Sequence, residues 1–132
     1  MTLDGAIDGL RTALATMSGL KRTYVDPPSS ISEFPALIVY PSLGEMSFES
    51  RGDLAFHDII VDIYHARQYL PEAIDAAKVW PDRVYAKLKE DQTLGGAVAH
   101  VVWPINYRFL PMQYNDMLHF GVRFTVKVKV LN

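Results

Sequence analysis

The sequence predicts an α+β domain: a mostly antiparallel β-sheet of about five strands flanked by two main helices on one side. Three observations carry that expectation. The final stretch, His119 to Val130, alternates strictly, with Phe120, Val122, Phe124, Val126, Val128 and Val130 at every second position. Side chains on a strand alternate faces, so this stretch has one apolar face and one polar, basic face. Near the start, Leu3, Ile7, Leu10, Leu14 and Met17 recur at steps of four and three, which is the spacing of one helix face. The segments then run helix, three strands, helix, two strands, an order that gathers helices against one face of a sheet.

Taken in order, Thr2 or Asp4 is placed to cap the first helix, and Gly19 sits where a helix C-terminus prefers glycine. Gly5 and Gly9 weaken that helix, so packing must hold it. Lys21 to Glu33 contains Asp26-Pro27-Pro28-Ser29-Ser30 and reads as a loop. Phe34 to Pro41 is a short apolar run fenced by prolines, a strand by its length and β-branched content. Gly44 turns the chain into a second strand, Glu45 to Ser50, and Arg51-Gly52-Asp53 forms the next turn.

The third strand is Leu54 to His65. Ile59, Val61 and Ile63 point one way and Asp58, Ile60, Asp62 and Tyr64 the other, with a bulge or two-sided burial expected near His57. Pro71 and Glu72 suit a helix start, and Ile74, Ala77, Val84 and Leu88 share a face. Pro81 predicts a kink or break after Trp80. Leu94-Gly95-Gly96 ends the helical segment, and Ala97 to Phe109 returns as a strand that Pro104 confines to an edge or a bulge. Leu110 to Asp116 reads as a loop before the final strand.

A chain of 132 residues fits one domain, residues 1–132, with room for a real core. Its apolar fraction of 49%, charged fraction of 21% and formal charge of -2 provide no global pull toward nucleic acid or anionic membrane. With no cysteine, disulfides, zinc-thiolate sites and thiol nucleophiles are excluded. The first residues lack the basic start and apolar run of a signal peptide, and no apolar segment approaches the roughly 20 residues a spanning helix needs. The expectation is a soluble intracellular product with no membrane association.

No residue cluster announces a reaction. His57, Asp58, Asp62 and His65 are the densest potential ligands, but the two histidines lie roughly 27 Å apart at about 3.4 Å per strand residue, and the aspartates face the other way. Strand spacing makes them a solvated or cross-strand-paired set, not a metal site. Ser47, Ser50 and His100 lack the Gly-x-Ser-x-Gly elbow of a hydrolase. Leu94-Gly95-Gly96 lacks the lysine of a phosphate loop, and Arg51-Gly52-Asp53 matches an adhesion tripeptide by letters alone. Arg123, Lys127 and Lys129, with Arg108, make a basic stripe. Such a stripe serves nucleic acid in some folds, but Asp58 and Asp62 are its natural partners across the sheet. Neither a catalytic residue nor a cofactor is expected.

One ordered set of segments carries a resemblance: His57-Asp58-Ile59-Ile60-Val61-Asp62, Leu70-Pro71-Glu72, Asp91-Gln92-Thr93-Leu94-Gly95-Gly96-Ala97-Val98, and Gly121-Val122-Arg123-Phe124-Thr125-Val126. In this order and spacing, from about Phe34 to Val130, the chain resembles the tail terminator and tail completion proteins of long-tailed bacteriophages. The Leu-Gly-Gly element between helix and strand is the most specific part, and Trp80-Pro81 within the long helix is the departure.

The resemblance implies a non-enzymatic virion protein at the tail-head junction, assembled in the host cytoplasm. It implies a homo-oligomeric ring, a hexamer, that ends the tail tube and docks to the head-tail connector. Its partners would be the tail tube protein, the connector protein and further copies of itself, with genomic DNA passing through without sequence-specific binding. A stopper or head-completion protein of the same neck is the related alternative; a small hydrolase or a nucleic-acid-binding domain is the unrelated one. For a ring, the candidate subunit or partner interface comprises Phe48, Arg51, Asp58, Asp62, Tyr64, Arg108, Tyr114, Arg123, Lys127 and Lys129. Tyr40, Trp103, Tyr107 and Phe109 add aromatic surface of the kind interfaces favour.

Overall fold

A computed structural model describes residues 1–49, 52–66 and 71–131. They form an α+β domain with one mixed five-stranded sheet. The elements are α1 (Leu3–Ala15), β1 (Arg22–Tyr24), β2 (Ala36–Glu49), β3 (Gly52–Ala66), α2 (Pro71–Ala77), α3 (Val79–Glu90), β4 (His100–Tyr114) and β5 (Met117–Leu131). The strand order is β1-β2-β3-β5-β4; β1 runs parallel to β2 and every other pair is antiparallel. The main core lies between the sheet and the helices, where Leu10 and Leu14 of α1 and Trp80, Val84 and Leu88 of α3 meet Val61, Ile63 and Phe124.

The first helix starts at the expected cap, with the Gly5 N–H donating to the Thr2 hydroxyl at 2.9 Å. Gly9 is a packing requirement, because a Cβ there would lie 2.7 Å from that of Ala97. The second helical segment does break, but at Lys78 and not after Trp80. A proline ring collides with the carbonyl four residues earlier, here that of Ala77, so the helix must be interrupted before Pro81. Pro81 then occupies the first turn of α3, where its missing N–H has no partner to lose. The break turns Trp80 into the core, and its indole N–H donates to Nδ1 of His65 at 3.0 Å.

Five strands are present, though not the five that periodicity marks out. The expected strands Phe34–Pro41 and Glu45–Ser50 merge, within the described residues, into one strand, β2 (Ala36–Glu49), carrying an extra residue between the pairs Pro41–Ile59 and Gly44–His57. The irregularity near His57 therefore belongs to the opposite strand. Gly44 sits in it because a Cβ there would meet the Phe56 carbonyl oxygen at 2.7 Å. The fifth strand is β1, inside the stretch expected to be loop. Leu110 to Tyr114 is also strand, so the expected loop shrinks to a turn at Asn115 and Asp116, with φ of 49° and 67°. Two positive φ values in succession suit a tight hairpin, and Asn and Asp tolerate them. The edge position of β4, and its register shift between Val102 and Asn106 around Pro104, match expectation.

On β5 all six even positions from Phe120 to Val130 are buried. The opposite face is not uniformly polar. His119 and Gly121 lie beneath a second, smaller cluster that includes Ile38, Tyr64 and Met112. The segment preceding β2 covers it: Tyr114 donates its hydroxyl proton to the Pro28 carbonyl, and the Asn115 side chain donates to that of Ser29.

Candidate functional site

The basic stripe divides into an interior half and an exterior half. Asp62 of β3 and Arg123 of β5 are directly opposite in register. Arg123 donates through Nε to Asp62 Oδ1 at 2.8 Å and through a terminal nitrogen to Oδ2 at 3.1 Å; Tyr40 of β2 donates its hydroxyl to Oδ2 at 2.8 Å. The carboxylate is thus held by strands on both sides, and this satisfaction lets a charged group lie fully buried. The hydrogen bonds from Arg123 to the carboxylate push the guanidinium pKa further up. Burial, followed by the same carboxylate, lifts the Tyr40 hydroxyl above the ordinary phenol range. Burial also raises Tyr64 to about 12.

These contacts correct part of the expected interface. Asp62 and Tyr64 are buried within the chain, and Tyr114 is used to tie down the segment at Pro28, with its ring edge-on to Tyr64 at 5.7 Å. Arg123 is committed to Asp62. The outward residues of the set are Phe48, Arg108 and Lys127, with Asp58 and Lys129 half-buried. Lys127 faces Asp58 in register, at an open hollow also lined by Leu43, Gly44 and Glu45. Arg108 faces Arg123 across β4 and β5, and among the described residues it has no ion-pair partner. Arg51 lies outside the described residues.

Both margins of the sheet are open. β1 covers β2 only at Ala36 to Ile38, so Val39 to Glu49 has no strand on its outer side among the described residues. β4 forms the other margin along its whole length. Both margins carry exposed apolar side chains. On β2, Met46 is 85% and Phe48 90% exposed, with Leu43 beside them. On β4 and the neighbouring α3 they are Trp103, Tyr107, Phe109 and Tyr85. Tyr107 lies edge-on to Phe109 at 6.0 Å and tilted over Phe124 at 5.7 Å, while Tyr85 meets the Trp103 ring edge at 5.6 Å. The indole of Trp103 donates to the Gln92 side chain at 3.0 Å. Between these rings lies an apolar notch of about 90 Å³, floored by Phe124 and Ile105.

Aromatic content identified Phe48, Trp103, Tyr107 and Phe109 as surplus to the core but missed Leu43, Met46 and Tyr85. Pro41, beside the open part of β2, was the available signal: proline within a strand marks an edge.

His65 accepts from Trp80, and burial lowers its pKa. His100 is exposed, with Nδ1 3.1 Å from the Val101 carbonyl oxygen. Among the described residues neither His57 nor His100 hydrogen-bonds to a carboxylate or hydroxyl, and no three His, Asp or Glu side chains converge as cation ligands. Ser50 lies outside the described residues. The Leu94-Gly95-Gly96 element is a turn organised by Asp91, whose carboxylate accepts from the Thr93 N–H and hydroxyl and from the Gly95 N–H. No helix among the described residues is long and apolar enough to cross a membrane.

Comparison with known proteins adds no relative: no protein-family model matches the chain, and no curated protein matches it.

Proposed function

We propose that this chain is a structural subunit of a phage virion. Copies of it close into a ring, a hexamer in this reading, that ends the tail tube and joins it to the head connector. The four ordered segments that resemble tail terminator and completion proteins support the reading, and so does the α+β sheet with its helices on one side. One observation carries most weight. Exposed apolar side chains lie at both opposite margins of one sheet, Met46 and Phe48 on β2 and Tyr107 and Phe109 on β4, besides others such as Val25 and Leu118 that belong to neither margin strand. Two unlike patches at opposite ends of a subunit favour head-to-tail contacts, which close into rings when the rotation fits. A single patch would instead favour two-fold dimers.

Mass photometry with negative-stain microscopy tests this on the purified chain, alone and mixed with a tail-tube protein. Closed rings of uniform size are expected. A strictly monomeric chain under both conditions would refute the proposal.

A further inference from the structure

We infer that successive copies are joined by antiparallel strand addition, the open margin of β2 on one copy pairing with the open margin of β4 on the next. This rests on the ring-forming reading above and specifies its contact.

Strand direction comes first. β2–β3, β3–β5 and β5–β4 are all antiparallel, so β2 and β4 run in opposite directions within one copy. A sheet continued from copy to copy therefore meets antiparallel, the better-bonded geometry, with the helices of every copy on the same side.

The main-chain groups are also in phase. A proline inside an edge strand turns its nitrogen away from the paired neighbour, because it has no hydrogen to donate. Pro111 lies in the regular part of the β4–β5 register, so the main-chain groups of Tyr107 and Phe109 point outward. Pro41 does the same on β2, and the extra residue before Gly44 shifts the alternation, so Gly44, Met46 and Phe48 point outward beyond it. Unpaired edges of this kind are templates for another strand. The stretches Ser42 to Glu49 and Ile105 to Leu110 contain no proline.

Charge then selects the register. Arg108 projects from the helix-free face toward Arg123, and β4 contains no acidic residue. Glu45 projects from the same face of β2, a strand with no Lys, Arg or His, and among the described residues it has no ion-pair partner. Placing Glu45 opposite Arg108 pairs Met46 with Tyr107 and Phe48 with Ile105. Phe48 then enters the notch between Tyr85, Trp103 and Tyr107. The same register thus joins the unpaired charges on one face and covers the exposed apolar side chains on the other. The occupant of each edge is a second copy of this chain, because the two complementary halves are both carried on it.

The absence of cysteine makes the test direct. Glu45→Cys and Arg108→Cys together place thiols at a non-hydrogen-bonded pair, where Cα atoms are about 4.5 Å apart and within disulfide reach. Mild oxidation of the assembled double variant should give a non-reducing gel ladder of dimer, trimer and higher species that ends at the ring number and collapses on reduction. Neither single variant should give a ladder. Rings seen by mass photometry without any ladder would overturn strand addition while leaving the ring intact; no rings in the unmodified chain would remove both.

Phe48→Asp provides an independent readout that leaves the exposed position free to fold, with circular dichroism as the check. Its self-association should weaken about 30-fold or more, as loss of a central aromatic anchor does. Unchanged assembly would also overturn the proposal.

Discussion

Asp62 and Arg123 share one ion pair, yet removing each should cost a different amount. The Asp62 side chain is 1% exposed and that of Arg123 is 38% exposed. In Asp62→Ala the guanidinium loses its acceptor but reaches water, and the Tyr40 hydroxyl loses its bond. That change should cost about 2 kcal/mol, the scale of a lost charge-assisted hydrogen bond. In Arg123→Met the carboxylate stays buried with only the Tyr40 hydroxyl to hold it. An uncompensated buried charge costs about 4 kcal/mol. For a chain of this size each kcal/mol lowers Tm by about 4 °C, so the expected losses are about 8 °C and about 16 °C.

The double variant Asp62→Ala, Arg123→Met leaves no buried charge and should be more stable than Arg123→Met alone. Thermal and urea unfolding at pH 7, followed by circular dichroism, measures all three variants. Equal losses for the single variants, or a double variant as unstable as the sum, would refute the view that solvent access sets the asymmetry.

Three further outcomes are expected. Phe124→Ala removes a buried ring at the centre of β5 and should cost about 3–5 kcal/mol, with a shift in urea midpoint as the readout. Gly121→Ala puts a methyl 2.1 Å from the Ile63 carbonyl oxygen, so β3 and β5 must separate there; amide exchange across that pair should speed up markedly while exchange in α1 changes less. His65 is pushed below its ordinary pKa by burial and accepts the Trp80 N–H, so the folded state favours the neutral ring. The unfolded chain then binds the proton first as pH falls. The His65 contribution is complete above about pH 6.5 and is lost as pH falls toward the folded value. The drop in unfolding midpoint from pH 7.5 to pH 5 should therefore be smaller in His65→Gln; an equal drop would place the pH dependence elsewhere.

Much of the fold was legible because burial imposes a period. The apolar faces of α1 and β5 and the inward set Ile59, Val61 and Ile63 repeat at 3.6 or 2 residues, and all lie in the core. Prolines located the edge strand β4 correctly, because a missing N–H is a local property. The misreadings have local causes too. Lys21 to Glu33 looked like pure loop because three residues are too few for alternation to emerge, yet β1 forms there by pairing with β2. Pro111 and Gln113 looked like loop because an edge strand needs neither a full set of donors nor an apolar outer face. The break at Lys78 was misplaced because the clash of Pro81 acts four residues upstream.

The candidate interface was less legible. Charge and aromatic content picked out Phe48, Arg108 and Lys127 alongside Asp62, Tyr64 and Tyr114, which face inward. All six sit on strands, and strand parity alone separates two faces without saying which face is covered. The second face of this sheet is partly buried beneath the segment at Pro28 and Ser29, a long-range contact that no sequence period records.

By itself, then, the sequence determined the α+β class, the core faces of α1 and β5 and the edge position of β4, because hydrophobic period and proline chemistry are written residue by residue. Tertiary structure alone decided that β1 joins the sheet, that β2 spans a bulge, that Asp62 is an interior acid and that both margins are open. Each of these depends on which strand lies next to which, and pairing partners are chosen across distances over which the chain carries no local signal.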